Sequence, residues 1–382
     1  MIYLDHAAAT PVDKRVLEKM RPYFSDDFFN PSAPYLPAKK VASDYEAAKA
    51  TIAHAIGAKA SDLVITAGAT EANNLAFSAA SKKNSVLYLG TEHDSIRVVA
   101  KEHGGTAIKV LPNGLIDLND LRNKITDETE MISVALANNE LGTVQPLADV
   151  ARLIREIKLD RLKRGIKRQL LFHSDASQAL NLLDINVARL GVDLLTINSA
   201  KIYGPKGVGA LYVSHGAKLK PLTLGGGQEN GLRSGTENVP GVIGFAKAIE
   251  IAKEHINGNR KKYANLKKVF LDELKNYELI NKKHSLDNFI VVCFNGLDAE
   301  RLVFLLEEKG IYVATGAACA ASKGVRSHVL KAIGLTDTQI AGSLRISLGE
   351  TNDESQIKKA ANIINETVKA EYQRIKNSHG NQ

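Results

Sequence analysis

Only two cysteines occur in the 382 residues, Cys293 and Cys319. That is too few for a disulfide framework or a multi-cysteine zinc or iron–sulfur site. No stretch approaches the roughly 20 apolar residues of a membrane span. The N-terminus, Met1-Ile2-Tyr3-Leu4-Asp5-His6, has no basic region leading into an apolar run, and it is not rich in Arg and Ser. It therefore reads as neither a signal nor a transit peptide, and the expectation is a protein of the reducing cytoplasm. Internal repeats, a Walker A loop, a Gly-x-Ser-x-Gly elbow and metal-ligand spacings are also missing. Gly204-Pro205-Lys206-Gly207-Val208-Gly209 lacks the Gly-Lys-Ser/Thr ending of a phosphate loop and reads as a turn between strands.

What is present is ordinary in bulk: 44% apolar and 24% charged residues, enough for a large core and, at about 150 residues per domain, two to three domains. Lys and Arg number 50 against 42 Asp and Glu, a formal charge of +8. Much of the excess is local, in Lys158, Arg161, Lys163, Arg164, Lys167 and Arg168 at the end of one expected helix. Cations there suit the helix dipole, and no aromatics interleave with them as a base-stacking surface requires, so no direct nucleic-acid contact is expected. A solvated helix end and a docking surface for an acidic partner are the two readings of this segment.

Short apolar runs alternate with helical spacing. Leu63–Thr66, Val86–Leu89, Ala107–Leu111, Met131–Leu136, Leu170–His173, Leu194–Ile197 and Ala210–Val213 read as strands, with helices over Val41–Ile56 and Glu71–Ala80. This pattern predicts an α/β domain with a mostly parallel sheet. After Gly241 the texture changes to a long amphipathic helix over roughly Val242–Asn276. Strand Asn288–Phe294, helix Asp298–Lys309, strands Ile311–Ala314 and Leu344–Leu348, and helix Glu354–Lys376 follow, a smaller α+β domain.

In open α/β sheets ligands bind beyond the carboxyl ends of the strands, and polar residues follow these strand ends densely. They are Ala67-Gly68-Ala69-Thr70-Glu71, Thr91-Glu92-His93, Asn138-Asn139-Glu140, His173-Ser174-Asp175-Ala176-Ser177-Gln178 and Asn198-Ser199-Ala200-Lys201. The first run offers backbone N–H groups and a hydroxyl at a helix start, either an anion site or an ordinary N-cap. Lys201 at a buried strand end either snorkels out, pairs with Asp175, or is a desolvated Schiff-base lysine. A phosphate site, a buried acid, a stacking His and a lysine together describe a pyridoxal phosphate pocket. Cys293 lies in the apolar strand Phe289–Phe294 and reads as core. Cys319 lies in a run of small residues, about 314–326, that has little to pack and suits a nucleophile on a mobile loop.

The chain resembles the cysteine desulfurases of the class V aminotransferase family, pyridoxal 5'-phosphate enzymes of fold type I, over nearly its whole length. The resemblance is carried by Tyr3-Leu4-Asp5-His6-Ala7-Ala8-Ala9-Thr10-Pro11, Gly68-Ala69-Thr70-Glu71-Ala72-Asn73-Asn74, Thr91-Glu92-His93 and Asn138-Asn139-Glu140-Leu141-Gly142-Thr143. It continues with Asp175 and Gln178, Lys201–Gly207, Gly225-Gly226-Gly227-Gln228-Glu229, Arg233–Asn238, Cys319, Ser327–Leu330 and Arg345. It implies a large domain over 15–255, with a mostly parallel seven-stranded sheet flanked by helices. It also implies a small α+β domain from 1–14 and 256–382 that carries the cysteine loop.

The resemblance also implies roles. Lys201 holds the cofactor as a Schiff base and moves the α-proton. Asp175 holds the pyridine nitrogen protonated, and Gln178 bonds the phenolic oxygen. His93 stacks on the ring and shuttles a proton. Thr70, Ala69 and Asn198 bind the phosphate, and Thr236 reaches the phosphate of a neighbouring subunit, which implies a homodimer. Asn139 and Arg345 hold the carboxylate of L-cysteine. Cys319 takes the substrate sulfur as a persulfide, L-alanine leaves, and the sulfur passes to an iron–sulfur scaffold or a tRNA-thiolation protein.

Three features depart from the family pattern. Asn198 and Ala200 stand where Ser and His usually hold the phosphate, which predicts weaker cofactor retention unless Ser199 reorients to compensate. Tyr35 replaces a usual His, with no physical account. The 158–168 segment is longer than usual. Competing readings are a selenocysteine lyase or another class V lyase or aminotransferase, which need no mobile cysteine, and a weakly catalytic sulfur-transfer assembly subunit. A hydrolase using Cys319 and His328 leaves the lysine pocket unexplained.

Overall fold

The computed structural model describes residues 1–316 and 326–379. Its strands in chain order are β1 (Ile2–Tyr3), β2 (Leu63–Thr66), β3 (Val86–Leu89), β4 (Thr106–Ile108), β5 (Met131–Ser133), β6 (Leu171–Asp175), β7 (Leu194–Asn198), β8 (Gly209–Val213), β9 (Glu278–Leu279), β10 (Phe289–Cys293), β11 (Ile311–Tyr312), β12 (Ala314–Thr315) and β13 (Ser343–Ser347). Seven of them form one sheet in the order β2-β8-β7-β6-β5-β3-β4. β8 runs antiparallel to both its neighbours, and every other pairing is parallel. Residues of β2, β3, β5 and β6 are buried throughout. A sheet covered on both faces produces the unbroken apolar runs seen in the sequence.

Because β8 alone is reversed, β2, β7, β6, β5 and β3 all point their carboxyl ends to the same edge of the sheet. The five polar runs leave from that edge, so one topology brings residues far apart in sequence to a common cleft.

A second, antiparallel sheet has the order β12-β13-β10-β9. The N-terminal segment starts against this part of the molecule: β1 pairs in parallel with β11, and Asp5 bridges to Ser347. It then enters the cleft at Ala7 and Ala8. The apolar run expected as one strand over 311–314 is two strands, because β11 pairs with β1 whereas β12 pairs with β13. The long helix Val239–Glu273 passes position 255 without a break and packs against the helix Leu36–Ala55. The latter begins before the expected Val41, with Pro in its first turn, where a missing N–H costs nothing. Cys293 is buried in β10, its Sγ 3.3 Å from Gln339 O, as a core thiol. No helix among the described residues is long and apolar enough to cross a membrane.

Three of the six basic side chains in the 158–168 segment are paired with carboxylates. Arg164 pairs with Asp127 at 2.6 Å and Asp160 at 2.8 Å, Lys158 pairs with Asp193 at 2.8 Å, and Arg168 pairs with Glu128. Arg161 is buried and donates to the Thr129 carbonyl at 2.9 Å. These contacts tie the helix end to the 126–130 turn, favouring the solvated helix end over a docking surface.

Candidate active site

The cleft at the carboxyl edge has a volume of about 890 Å³, and its lining includes Ala69, Thr70, His93, Asn139, Asp175, Gln178, Asn198, Lys201 and Arg345. Residues from β2, β3, β5, β6, β7 and β13, or from the turns after them, therefore meet at one place. Thr236 is exposed and is not part of this lining. Cys319 lies outside the described residues.

Each group has a local reason for its position. The helix Ala69–Phe77 begins at Gly68, whose φ of 145° is a left-handed value that favours glycine, and no side chain caps that end. Its first N–H groups and the exposed Thr70 face the cleft as an anion site. Asp175 closes β6 and is buried. Its carboxylate accepts from Asn73 Nδ2 at 2.9 Å and from the Ser177 N–H at 2.8 Å. Lys201 ends the short turn Ser199–Lys201 after β7, and its Nζ donates to the carbonyls of Ala7 at 2.8 Å and Ala8 at 2.6 Å. Gln178 Nε2 donates to the same Ala7 carbonyl at 3.0 Å. Lys201 thus holds its amine inside the cleft, against the N-terminal segment.

His93 caps the helix Asp94–Glu102, its Nδ1 accepting from the Ser95 N–H at 3.1 Å, and its ring is exposed at the cleft. Arg345 differs from expectation. It is buried, and both its terminal nitrogens are engaged, Nη2 with Asp5 Oδ1 at 2.7 Å and Nη1 with the Asn139 carbonyl at 2.7 Å, whereas Nε has no partner. A substrate carboxylate must share this fork with Asp5, not meet an empty one.

The altered phosphate ligands are resolved. Asn198 Oδ1 accepts from the Ala200 N–H at 3.2 Å, which leaves its amide N–H₂ to donate. Ser199 is fully buried and does not line the cleft, and a Cβ at Gly204 would stand 2.0 Å from its Oγ. Ser199 is packed against the following turn and does not compensate for Ala200.

Several residues were quoted in the sequence motifs without a role. Glu92 is fully buried at the cleft, and burial, then the charge of Asp175, raises its acid to about 8. Glu140 is buried against the Ser327 hydroxyl, and burial raises it to about 7. Asn73 and Asp5 hold Asp175 and Arg345. For Asn73, the signal that could have found it is a polar side chain beside alanines in a helical run, which burial makes costly unless it is partnered.

These residues fit pyridoxal phosphate on the structure's own terms. An uncapped helix start suits the phosphate, a buried carboxylate suits a protonated ring nitrogen, and a lysine lines the same cleft, which is of suitable size. The Aminotransferase class-V family model matches residues 2–360. A Bacillus subtilis protein named putative cysteine desulfurase IscS 1 is 37% identical, over 96% of this chain and 98% of its own length. Cysteine desulfurase IscS of Clostridium botulinum is 35% identical, over 96% and 94%. Among solved structures, a NifS-like protein superposes with a TM-score of 0.88 at 31% identity, covering 96% of this chain and 99% of its own. A protein titled SspA in complex with cysteine has a TM-score of 0.78 at 33% identity, covering 91% and 99%. The chain belongs to the class-V aminotransferase family and, within it, to the pyridoxal phosphate-dependent cysteine desulfurases.

Proposed function

We propose that the substrate is L-cysteine, that Cys319 receives its sulfur, and that the cleft residues act in the roles set out below. The observation that carries the reading is the convergence of Lys201, Asp175, Gln178, His93 and Arg345 on one cleft from separate strand ends. The cofactor, when bound, supplies an electron sink for charge developing at the substrate's α-carbon. Lys201 Nζ anchors it and moves the α-proton. The carboxylate of Asp175, fixed by Asn73 and Ser177, keeps the proton on the ring nitrogen. Gln178 donates toward the phenolic oxygen, and His93 covers the ring face. Ala69 and Thr70, at the helix start, and Asn198 bind the phosphate. Arg345 and Asn139 orient the substrate carboxylate. The Cys319 thiolate attacks the substrate sulfur as its C–S bond breaks. The carbon fragment takes a proton and leaves as L-alanine, and the sulfur remains on Cys319 as a persulfide.

The same reading has Thr236 serve the cleft of a second copy in a homodimer, consistent with its exposure outside this cleft. A protein acceptor, an iron–sulfur scaffold or a tRNA-thiolation protein, takes the sulfur. The place of action is the cytoplasm, where a thiol stays reduced. The large and small domains meet near residue 255, with 1–14 joining the small one. The test supplies purified protein and its Cys319→Ala variant with cofactor, L-cysteine and a reductant, and measures alanine and sulfide. Both products from the parent and neither from the variant are expected; equal output from both overturns the role of Cys319.

A further inference from the structure

His93 begins a helix with its own ring. Ser95 N–H points at Nδ1 from 3.1 Å, and a backbone N–H can only donate, so Nδ1 accepts and carries no proton. Ser95 Oγ lies 2.9 Å from the same Nδ1. With Nδ1 unprotonated, that hydroxyl is the donor. Its oxygen then accepts from Asn73 Nδ2 at 2.9 Å. The other hydrogen of the Asn73 amide goes to Asp175 Oδ2, also at 2.9 Å.

The direction of this chain is fixed from its far end. A carboxylate accepts only, so the Asn73 amide must turn its nitrogen toward Asp175. Asn73 is fully buried, and the orientation leaves Oδ1 without a partner, which is costly for a buried acceptor. Flipping the amide would satisfy nothing at Asp175 and set oxygen against oxygen. The polarity therefore runs from Asp175 through Asn73 and Ser95 to His93, and every donor in it agrees with an unprotonated Nδ1. The neutral ring must then carry its proton on Nε2, the nitrogen not engaged by the helix start.

We infer that Asn73 and Ser95 are positioning residues that hold His93 as the Nε2–H tautomer, so that the imidazole serves the cleft as a fixed hydrogen-bond donor and not as a shuttle between its two nitrogens. The inference rests on the reading of His93 as a cofactor-facing residue. It has a chemical consequence. The chain of bonds between Asp175 and Nδ1 passes through the Asn73 amide, which does not release protons, so no proton reaches Nδ1 from Asp175. The proton moved at the substrate α-carbon is left to Lys201.

The test is nitrogen NMR on the holoenzyme with ¹⁵N-labelled histidine, at a fixed pH of about 8 where free imidazole is neutral. The His93 signals are assigned by their loss in His93→Gln. The expected result is a proton on Nε2 and none on Nδ1. Ser95→Ala removes the hydroxyl with little change in shape. The Ser95 N–H stays in place, so Nε2–H remains the main form. With one of the two donors to Nδ1 gone, a minor Nδ1–H population should appear and alanine formation should fall by about three- to tenfold, the worth of one neutral hydrogen bond, with the KM for cysteine unchanged. Ser95→Thr restores the hydroxyl and should restore both readouts, and Asn73→Ala should shift the tautomer as Ser95→Ala does. A protonated Nδ1 in the parent, or an unchanged tautomer and turnover in Ser95→Ala, overturns the inference. Failure of the underlying reading is distinct: there His93→Gln turns over cysteine like the parent while the tautomer is still fixed.

Discussion

Replacing Glu92 with glutamine tests whether the cleft floor holds a neutral acid. Glu92 has no exposed surface. Its Oε1 accepts from the Ala135 N–H at 2.7 Å, and its Oε2 has no hydrogen-bond partner. Burial first, and the Asp175 charge second, raise it from 4.5 to about 8. A carboxyl raised on folding binds its proton more tightly in the native than in the unfolded chain. The stability it contributes is therefore complete below pH 4.5 and is lost as pH climbs toward 8. At about 1.36 kcal/mol per pH unit, the loss between pH 5.5 and 7.5 is on the order of 2–3 kcal/mol. Glutamine keeps the acceptor for Ala135 and does not titrate. The Glu92→Gln protein should therefore gain on the parent by about that amount across the same two units, read as diverging urea midpoints followed by circular dichroism. Parallel midpoints would mean that Glu92 is ionised in the native protein, and the reasoning from burial would be refuted.

Restoring Asn198→Ser together with Ala200→His should raise affinity for pyridoxal phosphate at least about tenfold, or ~1.4 kcal/mol, by equilibrium dialysis; a smaller gain would show that the phosphate does not feel the missing side chains. Asp5→Ala removes the carboxylate that holds Arg345 at 2.7 Å. The KM for cysteine should rise about tenfold with kcat little changed, and an unchanged KM would show that Arg345 is positioned without it. His173 is buried between the Ser133 and Thr196 hydroxyls at 2.9 and 3.1 Å, and burial lowers it to about 4. A lowered histidine protects the fold above about pH 6.5, its ordinary value, and the protection drains away as pH falls toward 4. His173→Gln should flatten that acid limb in the same urea assay.

The cleft was legible because its chemistry is written in short segments that the sheet topology gathers. Each strand reads as an apolar run, and the polar residue ending it reads as a lip residue once the sheet is taken as mostly parallel. Asp175, Lys201 and His93 are of this kind. What was not legible is what the second sheet and the N-terminal segment bring across. Arg345 stands in the middle of β13, where alternation alone suggests a core position. Its guanidinium finds Asp5, separated by 340 positions in the chain, because β1 pairs with β11 and Asp5 bridges to Ser347. No periodicity encodes that long-range register. The 311–314 run failed for the same reason: one apolar stretch serves two sheets, and only the partner strands decide where it divides. Asn73 was hidden differently. It sits in the helix Ala69–Phe77 among alanines, where an asparagine is an unremarkable solvated residue if it faces out and an expensive one if it faces in. It faces in, toward Asp175, and the unpartnered Oδ1 it carries is a cost that neither packing nor helix propensity explains. A buried amide kept at a loss beside the acid that serves the cofactor is better understood as part of the site than of the core.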